Sequence, residues 1–198
     1  MARARLRTLS VILLSGVFVL TGCGTPATTP GSGPTGSTGA AVSTPGATSA
    51  GGTLTGRSAG FTVGAPQGWT EATDQAAGVS GIDLVVLSSD KVAGFSNNVV
   101  VLSMAGDAAS LDGKLAEGRS QMTGAGRTVS DLPDITVAGE PGRGFATSFD
   151  QQGIQVLARS YGVQHSGKVY LLTLSSSQED ADHAAQEFQA MLATWKWA

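Results

Sequence analysis

The feature that most constrains the fold is a long uncharged segment, residues 24–56. It contains no charged and no aromatic residue and consists almost entirely of glycine, threonine, serine, proline and alanine. Such a composition cannot bury enough apolar surface to offset the entropy lost on ordering, so we expect a disordered tether. Its threonine and proline content is compatible with O-linked sugars, although a plain spacer is the simpler interpretation. A hydrophobic core can therefore form only in residues 57–198, whose length suits one ordinary domain.

The residues before the tether have the pattern of an export signal. Arg3, Arg5 and Arg7 supply a positively charged start, and an apolar run follows over residues 9–20. A membrane-spanning helix needs roughly 20 apolar residues, so this shorter run suits a signal peptide better. The run ends in small residues and Cys23, which is the only cysteine in the chain. An uncleaved N-terminal anchor is the main alternative interpretation, and a buried free cysteine is a second.

The tetrapeptide Leu20-Thr21-Gly22-Cys23 resembles the lipobox of bacterial lipoproteins. The resemblance implies that the Cys23 thiol takes a diacylglyceryl group, with acyl chains such as palmitate, and that the signal is cleaved just before it. Residues 1–22 are then the lipoprotein signal peptide. Residues 23–56 are the lipidated cysteine and its tether, on the extracytoplasmic side of the cell membrane. Each buried methylene contributes about 0.8 kcal/mol, so two acyl chains hold a protein stably on a bilayer.

Removing residues 1–22 leaves an acidic protein. The chain has 12 Lys and Arg against 15 Asp and Glu, and the signal contains three arginines and no acid, so the mature balance is 9 against 15, or −6. An acidic surface without a basic cluster argues against nucleic acid and anionic lipid surfaces as partners. Because Cys23 has no cysteine to pair with, the domain must be stabilised by its hydrophobic core rather than by disulfides.

The pattern of apolar residues in the domain predicts an α+β fold. Runs of β-branched residues separated by turn residues indicate strands, and the last three of these form an antiparallel meander joined by hairpin-length connections. The predicted strands lie at residues 61–63, 82–87, 99–104, 127–130, 135–138, 144–149, 154–163 and 168–174. Consecutive apolar residues at 84–87 and 99–102 indicate strands covered on both faces. Asp90-Lys91, Asn97-Asn98 and Glu140-Pro141-Gly142 are interpreted as turns or breaks between strands.

Two helices complete the prediction. The first is expected over residues 110–122 with Ser110 as its N-cap. The second is expected over residues 179–197, after a start at Ser177 that resembles a capping box. Its apolar stripe includes Phe188 and Trp195 and predicts a helix that covers one sheet face. The expected architecture is an antiparallel β-sheet flanked by helices.

The domain opens with Phe61 and Pro66-x-Gly68-Trp69 and closes with an aromatic helix, and in this it resembles the PsbP-like/DcrB-like group. The order of elements over residues 60–197 is most similar to the Lpq-type lipoproteins of actinobacteria (the LpqN/LpqT kind). The resemblance implies a sheet with helices on its faces, an extracytoplasmic setting, and binding or assembly roles rather than catalysis. It brings no catalytic residues.

Candidate chemistry is sparse. Glu179, His183 and Glu187 are spaced by four on one helix face, where they could clasp a metal, although a solvated acidic helix start is the simpler reading. Ser80 is not in a nucleophile-elbow pattern, and the glycines at 139–144 precede no helix that would cradle phosphate. No cofactor or catalytic set is therefore predicted. The only site residue assigned is Cys23, as the lipidation site.

Other side chains leave alternatives open. Arg143, Arg159 and Lys168 lie on neighbouring predicted strands and could form an anion-binding patch, but ordinary solvated strand faces are the preferred interpretation. Trp195 is expected in the core because it ends the periodic stripe. Trp69 is expected either in the core or in a pocket wall, and Trp197 on the surface.

These observations lead to a membrane-anchored, non-catalytic lipoprotein with a binding or accessory role in the cell envelope. Its expected partner is an envelope protein or an apolar ligand such as a glycolipid, and no nucleic acid. The alternatives are a hydrolase or transferase acting on the cell wall and a simple spacer for docking. An apolar cavity between helix and sheet would favour the binding role, whereas a cleft gathering carboxylates or a histidine would favour the enzyme.

Overall fold

The computed structural model describes residues 51–198. The predicted signal peptide, Cys23 and most of the predicted tether lie outside the described residues, so those predictions stay predictions. Within residues 51–198 the chain forms two antiparallel sheets and two α-helices, which confirms the predicted α+β class.

The larger sheet has eight strands, all antiparallel to their neighbours, and its order along the main path is β3-β4-β5-β10-β9-β8-β6, with β7 pairing beside β6 on β8. The smaller sheet has the order β1-β2-β11. The strands are β1 (Thr53–Thr55), β2 (Phe61–Gly64), β3 (Trp69–Glu71), β4 (Ile82–Val92), β5 (Phe95–Ala105), β6 (Thr128–Asp131), β7 (Ile135–Val137), β8 (Glu140–Gln151), β9 (Ile154–His165), β10 (Lys168–Ser177) and β11 (Lys196–Trp197). The helices are α1 (Ala108–Gly124) and α2 (Ala181–Ala193).

The main hydrophobic core forms where one face of the large sheet meets α2 and the small sheet. Alternate residues of β4, β5, β9 and β10 point into it, including Val86, Val101 and Leu172, which are all fully buried. Phe188 of α2 is 2% exposed and stacks on Tyr161, with ring centroids 6.4 Å apart. The predicted role of the closing helix as the cover of one sheet face is therefore confirmed.

The opposite face of the large sheet carries α1 and a 3₁₀ turn at Thr73–Ala76. Leu111 of α1 packs in a cluster with Val169 and Leu171 of β10. Gly162 makes this close approach possible, because a Cβ there would lie 2.3 Å from Cδ1 of Leu111. The apolar runs of the central strands are thus covered on both sides, as their sequence predicts.

The predicted turns at Asp90-Lys91, Asn97-Asn98 and Glu140-Pro141-Gly142 are wrong. Each lies inside a strand, because β4, β5 and β8 run longer than their apolar segments alone indicate. The actual hairpin connections are Ala93-Gly94 and Ala138-Gly139, where both residues have positive φ, as two-residue turns between antiparallel strands require.

The predicted helix bounds also need correction. α1 starts at Ala108 because Asp107, not Ser110, is the N-cap, and its carboxylate accepts the Ser110 N–H at 2.8 Å. α2 ends at Ala193 because the Thr194 hydroxyl donates to the Met191 carbonyl and accepts the N–H of Gly64 in β2, both at 2.7 Å. The chain beyond Thr194 pairs with β2 as strand β11 instead of continuing the helix. Within the described part of the chain, neither helix is long and apolar enough to cross a membrane.

Ordered structure begins before the predicted boundary at Arg57. β1 lies within the segment interpreted as tether, and it is paired along its length with β2. Asp83, which is 2% exposed in a bulge of β4, anchors the following turn, because its carboxylate accepts the N–H and the hydroxyl of Ser58, each at 2.6 Å. The domain therefore includes residues 53–56, and the buried carboxylate of Asp83 holds the turn that follows β1 in place.

Candidate binding cleft beside the Pro66 turn

One wall of the candidate site is the turn that joins the two sheets. The carbonyl of Pro66 accepts the N–H of Trp69 at 3.1 Å, and Gly68 has a φ of +80°. These values fit a type II turn, whose third position favours glycine because other residues are strained at positive φ. The Pro-x-Gly-Trp sequence thus fixes the backbone of this wall.

The facing wall is one side of α2. Glu187 lies four residues after His183, and Ala190 and Met191 lie three and four residues after Glu187, so they share a helix face. Between this face and the turn lies an open cleft of about 580 Å³. The end of β4 supplies its remaining wall, with Ser89 and Asp90.

The cleft rests directly on the main core. Met191 lines the cleft and is 2% exposed, and Trp69 packs in the same core. Trp69 and Ser88 are paired across β3 and β4, and their chain neighbours Gly68 and Ser89 line the cleft. The walls therefore belong to well-packed elements and not to long loops, which favours a preformed site.

The charge of the cleft is negative. Asp90 and Glu187 contribute carboxylates, and no lysine or arginine in the described part of the chain lines the cleft. Nδ1 of His183 lies 3.4 Å from Oδ1 of Asp180 and 3.9 Å from Oε2 of Glu187. Asp180 is held in place by Asn97, whose side-chain amide donates to it at 2.5 Å.

Glu179, His183 and Glu187, which the sequence places on one helix face, do not come together in the structure. Glu179 lines a separate cleft of about 150 Å³ between two hairpin tips, and Asp180 approaches His183 in its place. In residues 51–198 no group of three or more His, Cys, Asp or Glu side chains is arranged to hold a metal ion. The physical reason is that α2 begins only at Ala181, so Glu179 precedes the helix and does not share a helix face with His183 and Glu187.

The suggested anion patch is also not formed. Arg143 pairs with Asp112 of α1 at 2.9 Å. Arg159 donates to the carbonyl of Ala181, at the start of α2, at 2.9 Å. The two guanidinium groups therefore lie on opposite faces of the sheet.

The three tryptophans differ in position. Trp195 is buried, as predicted, and stacks on Phe61 with centroids 4.1 Å apart. Trp69 is 5% exposed and belongs to the core, not to the cleft lining. Trp197 is half-buried rather than on the surface, because its ring stacks on His165 at 4.5 Å and its N–H donates to the carbonyl of Val137 at 3.3 Å.

Sequence reasoning found the Pro66 turn and the helix face, but it did not bring them together. From the sequence, Asp90 is predicted as a turn residue and Asp180 as the end of the capping-box-like start at Ser177. The missed signal was the half-polar side of the closing helix, which carries Glu187 and Ala190 next to the buried stripe. A polar strip beside a core stripe gives no indication of the wall that will face it.

Comparisons with known proteins agree on the fold. No protein-family model and no curated protein matches the sequence. Among solved structures, the chain is similar to cyanobacterial PsbP from Synechocystis sp. PCC 6803, at 14% identity and a TM-score of 0.50, covering 74% of this chain and 92% of that one. It is also similar to LpqN of Mycobacterium tuberculosis, a protein involved in cell envelope biogenesis, at 13% identity and a TM-score of 0.52, covering 74% and 90%.

A Bacteroides thetaiotaomicron protein gives a TM-score of 0.52 at 12% identity over 75% of this chain. The chain spans about half the length of that protein, 48%. At these identities the likeness establishes the fold alone. The predicted resemblance to the PsbP-like group is confirmed at the level of architecture.

Proposed function

We propose that the chain is a lipoprotein anchored through Cys23 to the extracytoplasmic side of the cell membrane, with a non-catalytic, accessory binding role in the cell envelope. The support for the anchor is the sequence Leu20-Thr21-Gly22-Cys23 after a basic and apolar start. The support for an envelope role is the fold shared with LpqN, whose own role is in envelope biogenesis.

The observation that carries the binding role is the cleft beside the Pro66 turn. It is formed by a fixed turn, a strand end and a helix face, and it rests on the main core. Its lining is mixed, with apolar groups from Ala65, Pro66 and Ala190 and polar groups from Gln67 and Glu187. A lining of this kind suits a polar group with an aliphatic stem, as on a protein segment or a lipid headgroup, better than a purely apolar chain.

Native mass spectrometry of the protein purified from its own host tests this role. Ala190→Trp should fill the cleft, because Ala190 is exposed and lines it. Ala193→Trp is the matched control, since Ala193 is exposed on α2 but does not line the cleft. We expect a bound species on the parent and on Ala193→Trp that is absent from Ala190→Trp. A species retained equally by all three proteins, or by none, would contradict the proposal.

The alternative is an enzyme acting on the cell wall. It is favoured by one feature, the placement of His183 near two carboxylates in a cleft that also holds the exposed Ser89. Against it, the His183 side chain is 65% exposed, whereas groups tuned for acid–base catalysis are commonly shielded from water. Turnover of isolated wall material that disappears in His183→Ala, with the fold unchanged, would support the enzyme and overturn the binding role.

A further inference from the structure

The side chains that line the cleft beside the Pro66 turn carry an excess of negative charge. Among residues 51–198, the carboxylates of Asp90 and Glu187 line it, and no lysine or arginine does. The Glu187 side chain is only 21% exposed, so part of its hydration is already lost. A partly desolvated carboxylate is stabilised by a nearby positive charge, which a cationic ligand can supply.

The apolar part of the lining lies next to these carboxylates. Pro66 forms one side and the exposed Ala190 the other, while Ala65 and Met191, 3% and 2% exposed, lie beneath them. An aliphatic stem can lie between them while its charged end reaches the carboxylates, as lysine and arginine side chains do when they extend along apolar surfaces. A free metal ion would leave these apolar walls unused, and an anion would be repelled.

We propose that this cleft binds a primary ammonium or guanidinium group carried on an aliphatic stem. This inference rests on the proposed binding role of the cleft and names its ligand class. The mature chain has a net charge of −6, which raises the local concentration of cationic ligands and favours their approach. The same chemistry can come from a basic segment of a partner protein or from a free aliphatic amine.

Binding of fluorescently labelled pentalysine to the full chain in neutral detergent micelles tests the proposal. Pentaglutamate serves as the anionic probe, and cadaverine as the free amine in competition. Pentalysine should bind and pentaglutamate should not. Glu187→Gln should weaken pentalysine binding by about tenfold or more, since a charge-assisted hydrogen bond is lost. Asp90→Asn should weaken pentalysine binding less than Glu187→Gln does, because Asp90 is more exposed than Glu187.

Glu117→Gln is the matched control. It removes the same charge from α1, on the opposite face of the sheet, and should leave pentalysine binding within about twofold of the parent. Ala190→Trp, which keeps every charge, should abolish binding by filling the cleft. Thermal unfolding of each variant separates loss of binding from loss of fold.

The outcomes distinguish the two proposals. If Glu117→Gln weakens binding as much as Glu187→Gln, or if pentalysine does not bind, the cationic ligand class is overturned. If Ala190→Trp still removes the species retained on the native protein, the cleft remains a binding site for another class of ligand. Competition by cadaverine at concentrations similar to those of an acetylated lysine amide would point to a free amine. A clear preference for the amide would point to a protein segment.

Discussion

Replacing Phe188 with alanine is expected to remove a large part of the stability of the domain. Phe188 is 2% exposed on the buried stripe of α2, between sheet and helix, and its ring stacks on Tyr161. Truncating a fully buried phenylalanine costs about 3–5 kcal/mol, since transfer energy is lost and a cavity remains. A domain of this size has a total stability of about 5–15 kcal/mol, so the loss is a third or more for most values in that range.

Guanidinium denaturation followed by tryptophan fluorescence measures this loss. Gln189→Ala is the control, because Gln189 is the next residue on α2 and is exposed. Its substitution should change the free energy of unfolding by no more than about 0.5 kcal/mol. For Phe188→Ala the melting temperature should fall by roughly 10 °C, given a shift of about 2–4 °C per kcal/mol in domains of this length. A denaturation midpoint unchanged by Phe188→Ala, combined with loss of ligand binding, would refute the assignment of this stripe to the core.

Two further predictions concern the turn after β1 and the stability of the domain at alkaline pH. Asp83→Ala should leave the N–H and hydroxyl of Ser58 without their acceptor and lower the free energy of unfolding by about 1.5–3 kcal/mol. Hydrogen exchange should become faster in β1 than in the rest of the domain, and an equal acceleration throughout the domain would contradict this. Burial, and then the charge of Asp83, raise the pKa of Tyr170 above its ordinary value of 10, so the folded state keeps this proton longer than the unfolded state. The contribution of Tyr170 to stability should therefore be constant below about pH 10 and be lost above it, so stability should fall less steeply there in Tyr170→Phe; equal slopes would rule out this contribution.

Much of the fold could be predicted from the sequence because its strongest signals are local. The β9–β10 hairpin has two apolar strands separated by a Ser166-Gly167 turn, and pairing of neighbouring strands follows directly. The stripe containing Phe188 repeats at helical spacing, which predicts both the helix and its buried side. These features need no information from distant parts of the chain.

The errors have a common physical cause. Lys91 and Asn97 are polar residues in strand extensions, where one face of the sheet is open to water or to polar partners, so their composition resembles that of a turn. β11 forms only because β2, more than 130 positions earlier in the chain, offers a free edge beside Thr194. Pairing between such distant segments leaves no periodic trace in either one.

The cleft could not be predicted for the same reason. Pro66, Asp90 and Glu187 come from three separate segments of the sequence, and none of them stands in a recognisable motif with the others. Only the packing of α2 against the sheet brings their side chains around one space. The Pro-x-Gly-Trp sequence predicts the turn itself, but it does not predict which element packs opposite that turn.

The intact mass of the mature protein is the most direct test of the lipid anchor at Cys23. Protein extracted from host membranes should begin at Cys23 and carry the added mass of a diacylglyceryl group, with or without a further acyl chain. The Cys23→Ala variant should keep residues 1–22 and carry no lipid. A mature protein that begins elsewhere, or a Cys23→Ala variant that still incorporates labelled palmitate, would exclude Cys23 as the lipid anchor.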